Sequence, residues 1–358
     1  MKALYILDDY KSGHLGADIE FSEFFEVEKN ESLQKREPAG CILEKTQGEF
    51  FNFCPVNGHP SPEVTIIGAS ISEKSGNANS TVCHFPSTLR RLSQTKPIYI
   101  RTDNVMTSGL IEYGNDNVLM EGLIFEDLGD FTPKTFIPEN IKDVILHIKR
   151  QDSILFSLGG DHSLTYSILK SFEKELSDPV VLIVFDAHSD CGTSPYREND
   201  IYHANFIKFL LEHEKIAAII QIGVRGIRSV GQIYKHPKLI QVASSDMSPE
   251  LIKKIMTDVK QKHPAASAYI SFDIDCLDPS DFQYVDFPVS GGASLSTIRN
   301  CLYSVLSNCP SLIGVDLVEG QGVQNDEDIP KNYEAALQIL IYLLDGVGTH
   351  IKVRRGED

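Results

Sequence analysis

The sequence predicts an α/β protein: three αβα layers around a mostly parallel, doubly wound sheet. Two observations carry this. From residue 63 onward short apolar runs alternate with helical patterns, and several of these runs are apolar at nearly every position. Continuous apolarity marks strands covered on both faces, as parallel sheets require, and strand–helix alternation supplies the crossovers that make neighbours parallel.

The predicted strands are Val64–Gly68, Ser153–Leu158, Val180–Phe185, Ala218–Gly223, Ala268–Phe272 and Ser311–Asp316. Between them, Pro138–Arg150 opens with proline and glutamate, a favourable first helical turn. A short helix follows at Phe206–Glu212, and Ser248-Pro249-Glu250 starts another. Ser294–Ser307 places Leu295, Ile298, Leu302 and Val305 at helical spacing, and Glu334–Leu344 is an apolar terminal helix. Residues 1–62 read as an appended segment before a domain over residues 63–358. Met1–Leu7 could be a strand, Tyr10–Lys45 is polar, and Asn52–Pro60 is rich in turn residues.

A chain of 358 residues, 42% hydrophobic, can bury a sizeable core. Its net charge of −17 argues against nucleic acid or an anionic membrane as partner, since both need a basic surface. Seven cysteines with no Cys-x-x-Cys pair, and no signal peptide before Asp8-Asp9, lead us to expect a reduced, cytoplasmic setting. No apolar run of membrane-spanning length is read from the sequence.

Ligand-type side chains gather at the ends of three predicted strands: Gly159-Gly160-Asp161-His162-Ser163, Asp186-Ala187-His188-Ser189-Asp190 and Ser271-Phe272-Asp273-Ile274-Asp275. Residues two apart on a strand project the same way, so Asp186, His188 and Asp190 fall together if the extended conformation continues. Asp273 and Asp275 pair by the same argument. Two glycines allow His162 a tight turn off its strand. Oxygen-rich donors with two imidazoles suit Mn²⁺, Mg²⁺ or Fe²⁺, and a set this large suits two ions, which usually serve to activate water. Cys191 and Cys276 are expected only to pack beside the motifs.

In these motifs, and in Ser271-Phe272-Asp273-Ile274-Asp275-Cys276-Leu277-Asp278-Pro279 as a whole, the chain resembles the ureohydrolase family, which includes arginase, agmatinase and formiminoglutamase. Lesser echoes lie at Asp127-Leu128-Gly129-Asp130 and Gln221-Ile222-Gly223-Val224-Arg225. The resemblance implies an arginase-like fold and two Mn²⁺ per chain. One ion would take His162, Asp186, Asp190 and Asp273, the other Asp186, His188, Asp273 and Asp275. It also implies hydrolysis of a guanidino group to an amine and urea. His203 would shuttle the proton, Glu319 would receive the guanidinium, Asp190 would orient the nucleophile, and Asp161 and Ser163 would support His162. A homo-oligomer is a further expectation from the family.

The departures concern substrate. Gly192 stands where arginases have asparagine, and Arg197 and Glu198 follow it. Arg225-Gly226-Ile227-Arg228 replaces an acidic loop, and Tyr284-Val285-Asp286-Phe287-Pro288 replaces a Gly-Thr-Gly-Thr-Pro stretch. These changes point away from free arginine and towards arginine within a peptide, converted to ornithine. Agmatine or a guanidino acid is the alternative. Rival classes are a one-metal zinc deacetylase on a related fold and a non-catalytic metal-binding module.

Overall fold

The computed structural model describes residues 50–52, 61–96, 98, 109–114, 117–134, 136–172, 175, 178–192, 201–230 and 233–356. They belong to one of two units, residues 37–55 with 59–358; the other, residues 1–36 with 56–58, lies outside the described residues. So do the expected strand Met1–Leu7, nearly all of the appended segment, and residues 193–200 with Arg197 and Glu198.

The strands are β1 Val64–Ala69, β2 Leu110–Glu112, β3 Asn117–Leu119, β4 Phe125–Phe131, β5 Ile154–Leu158, β6 Val180–Phe185, β7 Ile216–Val224, β8 Leu239–Ala243, β9 Ser267–Asp273 and β10 Ser311–Val318. Eight form one sheet in the order β4-β1-β5-β10-β9-β6-β7-β8, with every neighbouring pair parallel. The remaining two, β2 and β3, make a separate antiparallel hairpin. The predicted fold class is therefore the observed one.

Burial on both faces follows from alternation along each strand. Val181, Ile183 and Phe185 of β6 enter one core with the helices Pro249–Lys262, Leu295–Asn308 and Glu334–Arg355. Val180, Leu182 and Val184 enter the other with Pro138–Gln151, Ser163–Phe172 and Phe206–Leu211.

Two edge strands, β4 and β8, escaped the sequence reading because an edge tolerates mixed polarity. In β4 the acidic echo Asp127-Leu128-Gly129-Asp130 is not a metal motif. Its carboxylates take the buried guanidinium of Arg90, from the helix Phe85–Ser93, with Asp127 at 2.8 Å and Asp130 also bonded.

The terminal helix runs to Arg355 and passes the expected end at Leu344. It is long and apolar enough to cross a membrane, contrary to the sequence expectation. Here it is a core helix, with Leu337, Leu340, Leu344 and Val347 buried. Gly346 permits close packing, since a Cβ there would stand 2.1 Å from Leu306 Cδ1.

Candidate metal centre

The three motifs and Glu319 follow β5, β6, β9 and β10, which are consecutive in the sheet as β5-β10-β9-β6. Their C-terminal ends are level: Leu158 pairs Leu317, Leu317 pairs Phe272, and Phe272 pairs Phe185. Parallel pairing thus delivers all four segments to one edge, where open α/β sheets bind ligands.

The first segment turns sharply off β5. Gly160 is needed because a Cβ there would lie 1.8 Å from the Ile71 carbonyl oxygen. Asp161 then accepts bonds from the Lys74 amide at 3.1 Å and from the amide and hydroxyl of Ser163. These bonds hold the turn that leads into the helix Ser163–Phe172. The His162 ring is met instead by Ser271 of β9, whose Oγ is 2.9 Å from Nε2 and donates to Asp316 Oδ1 at 2.6 Å. Thr165 bonds the other Asp316 oxygen at 2.9 Å. Sequence reasoning missed Ser271, Thr165 and Asp316 as a working relay. The available signal was an aspartate inside the otherwise apolar strand Leu312–Val318.

Asp186, His188 and Asp190 do come together, but not by alternation along an extended strand. Asp190 has φ of 45°, so the chain has left the extended conformation. Gln221 of β7 holds that turn by donating to the Ser189 carbonyl at 2.8 Å. Asp275 lies in a 3₁₀ turn, Ile274–Cys276, and its amide donates to Asp273 Oδ1 at 2.8 Å.

His162 Nδ1 faces Asp186 Oδ2 at 3.4 Å, Asp190 Oδ2 at 3.2 Å and Asp273 Oδ2 at 3.2 Å. His188 Nδ1 faces Asp275 Oδ2 at 2.8 Å and Asp186 Oδ1 at 3.6 Å. Asp186 therefore offers one oxygen to each histidine. Two groups could hold a cation: His162, Asp186 and Asp190, and Asp186, His188 and Asp275. His162 Nδ1 and Asp186 Oδ2 are buried with no hydrogen-bond partner. Orphaned buried donors and acceptors are costly, so these atoms fit metal coordination. Nε2 engaged by Ser271 leaves Nδ1 as the coordinating nitrogen.

The electrostatics make the same demand for positive charge. Burial opposes protonation of His188, yet hydrogen bonds to Asp186 and Asp275 push it up to about 12. Burial and the charge of Asp186 push Asp190 up to about 7. Burial, Asp275 and Asp186 raise Asp273 well above the usual carboxylate range. Carboxylates this crowded need protons or cations between them.

His203 and Glu319 border the group. Glu319 is buried, has φ of 65°, and accepts the His162 amide at 2.7 Å through Oε1, which lies 3.6 Å from His203 Nδ1. A left-handed glutamate is strained, and such strain gathers at functional sites. The His203 ring stacks on Phe287 at 5.4 Å. Burial, then the positive rings of His162 and His188, lower its pKa to about 4, against opposing effects of Asp186 and Asp286.

In the Arg225-Gly226-Ile227-Arg228 loop, Arg225 turns inward. Its guanidinium donates to the carbonyls of Asp275, Cys276, Leu277, Gly223 and Val289 and braces the Asp275 turn. Arg228 is exposed. Cys191 and Cys276 are buried thiols that donate to the Ser189 and Ile222 carbonyls, as packing residues would. A cavity of about 690 Å³ lies elsewhere, lined by Arg299, Tyr303, Asp345 and neighbours, and none of the cluster's residues borders it.

A parallel αβα sheet thus carries at its C-terminal edge a buried carboxylate–imidazole cluster able to hold cations. The chain belongs to the arginase family, whose model matches residues 63–344. It is 28% identical over 163 residues to mitochondrial arginase 1 of Arabidopsis thaliana, covering 45% of this chain and 46% of that one. Against the mitochondrial guanidino acid hydrolase of Homo sapiens it is 28% identical over 234 residues, covering 62% and 64%. The mitochondrial agmatinase of Gallus gallus gives 29% over 212 residues, covering 56% and 60%. The chain thus spans between about half and two-thirds of these relatives' lengths. Its fold is similar to a hypothetical agmatinase from Burkholderia thailandensis, with TM-score 0.66, 20% identity and coverage of 90% and 97%. It is also similar to Trypanosoma cruzi formiminoglutamase with Mn²⁺, with TM-score 0.65, 17% identity and coverage of 80% and 94%.

Proposed function

We propose that this chain is a ureohydrolase with a two-cation centre, hydrolysing a guanidino group to an amine and urea. The observation that carries the proposal is Asp186, which presents one oxygen to His162 and the other to His188 and so can serve two ions at once. The first ion would be held by His162, Asp186, Asp190 and Asp273, the second by His188, Asp275 and the shared carboxylates. Mn²⁺ suits this hard donor set, and a structural relative contains it. When bound, such cations lower the pKa of water enough to supply hydroxide near neutral pH.

The chain's own residues supply the rest. Glu319 receives the guanidinium by charge-assisted hydrogen bonds, and its strained backbone, tied to Gly160 and His162, fixes its direction. Asp190 orients the nucleophile. His203, whose Nδ1 lies 3.6 Å from Glu319 Oε1, shuttles the proton to the leaving amine.

The relatives include arginases, an agmatinase and guanidino acid hydrolases, so all three substrate kinds bear on this chain. Arginine within a peptide finds no support among these relatives. The test is urea release with Mn²⁺ from free arginine, peptidyl arginine, agmatine and guanidino acids, with the amine product identified. Silence across the whole panel from metal-loaded protein would favour a non-catalytic metal-binding module.

A further inference from the structure

We propose that Asp286 is a substrate-selecting carboxylate that holds a second positive charge on the guanidino substrate. The substrate part of this rests on the ureohydrolase reading above; the binding part does not.

Asp286 lies on the rim of the site. The next residue, Phe287, stacks on His203, and the bridge between Val285 and Gly320 ties the segment to the residue after Glu319. Asn77 Nδ2 and Gln321 Nε2 both donate to Asp286 Oδ1 at 2.9 Å. These two amides fix the carboxylate and use one oxygen only. Oδ2 is buried with no hydrogen-bond partner. Leaving a buried carboxylate oxygen unpaired is costly, so the arrangement calls for a donor, and a cationic donor repays it most.

Charge accounting points to the substrate as the source. Asp186, Asp190, Asp273 and Asp275 balance two divalent cations, and Glu319 balances a guanidinium. Asp286 is one negative charge more, and among the described residues no Lys or Arg forms an ion pair with it. A guanidino acid would bring a repelling carboxylate, free arginine brings its ammonium with a carboxylate on the same carbon, and a peptide-bound arginine brings no second charge. The class that fits is a guanidinoalkyl ammonium, whose amine product is a diamine.

The test uses the Mn²⁺-loaded full chain and calorimetric titration with 1,4-diaminobutane, 1-aminobutane and 4-aminobutanoate. The wild type should bind the diamine at least about tenfold more tightly than either other amine, the range expected of one charge-assisted contact. Asp286→Asn keeps the acceptor for Asn77 and Gln321, so it should retain metal content and thermal midpoint yet lose that preference. Asp286→Glu should restore part of it. Equal affinity of the wild type for all three amines, or an unchanged preference in Asp286→Asn, overturns the proposal. Diamine preference with no urea from any guanidino compound would instead leave Asp286 as an amine-binding residue and sink the ureohydrolase reading.

Discussion

Ser271 Oγ stands 2.9 Å from His162 Nε2 and passes a hydrogen bond on to Asp316, so the imidazole turns Nδ1 towards three aspartates. The serine therefore sets the ring's tautomer and direction through Asp316 and not through Asp186, Asp190 or Asp273. Ser271→Ala should weaken Mn²⁺ binding by about ten- to hundredfold, the usual effect of losing such a supporting hydrogen bond. The fold should persist at a cost of about 1–3 kcal/mol, since His162 Nε2 and Asp316 Oδ1 each lose a buried partner. Metal titration of the variant checks this; unchanged affinity would remove Ser271 from the centre.

Glu319 anchors the His162 amide, and under the proposed function it also receives the guanidinium. Glu319→Gln keeps an acceptor for the His162 amide but loses the charge. Metal content should stay near that of the wild type, while kcat/KM for the guanidino substrate falls about a hundredfold, as for loss of a charge-assisted pair. Retained kcat/KM would mean that the guanidinium is received elsewhere.

Arg225 is a brace whose loss should be felt at the second ion. Its five carbonyl partners include Asp275, Cys276 and Leu277, and lysine lacks the guanidinium's planar fork. Arg225→Lys should therefore lower metal affinity at the His188–Asp275 group more than at the His162–Asp190 group. Equal losses at both would show that the brace does not act through Asp275.

His350 predicts a pH dependence remote from the metals. Burial lowers its pKa from 6.5, and its neutral ring accepts the Leu312 amide at Nε2, 3.2 Å away. Its folded pKa lies below the unfolded one, so its contribution is present above about pH 6.5 and is lost as pH falls through the folded value. His350→Ala should cost about 1–2 kcal/mol at pH 8, with a smaller gap from the wild type at pH 5. Thermal unfolding of both proteins across that range is the check. A gap that widens on acidification would contradict the assignment.

The central strands could be read from sequence because burial on both faces leaves a plain mark, as in β6 with six consecutive apolar residues. Edge strand β4 carries Glu126, Asp127 and Asp130 and leaves no such mark. The ligand-type residues were readable as motifs, but what aims them was not. Gln221 acts on Ser189 and Ser271 acts on His162 across 32 and 109 residues, and the amide of Asn77 reaches Asp286 across 209. Local pattern carries no trace of such contacts. The left-handed turn at Asp190 is likewise a product of tertiary hydrogen bonding, and strand alternation alone would have given it an extended backbone.

The proposed two-cation centre on Asp186 is tested most directly by metal stoichiometry, measured by native mass spectrometry after Mn²⁺ loading. The account predicts two ions per chain in the wild type and one in His188→Ala, since His188 and Asp275 belong to only one of the two groups. A single tightly bound ion in the wild type, unchanged in His188→Ala, would contradict it.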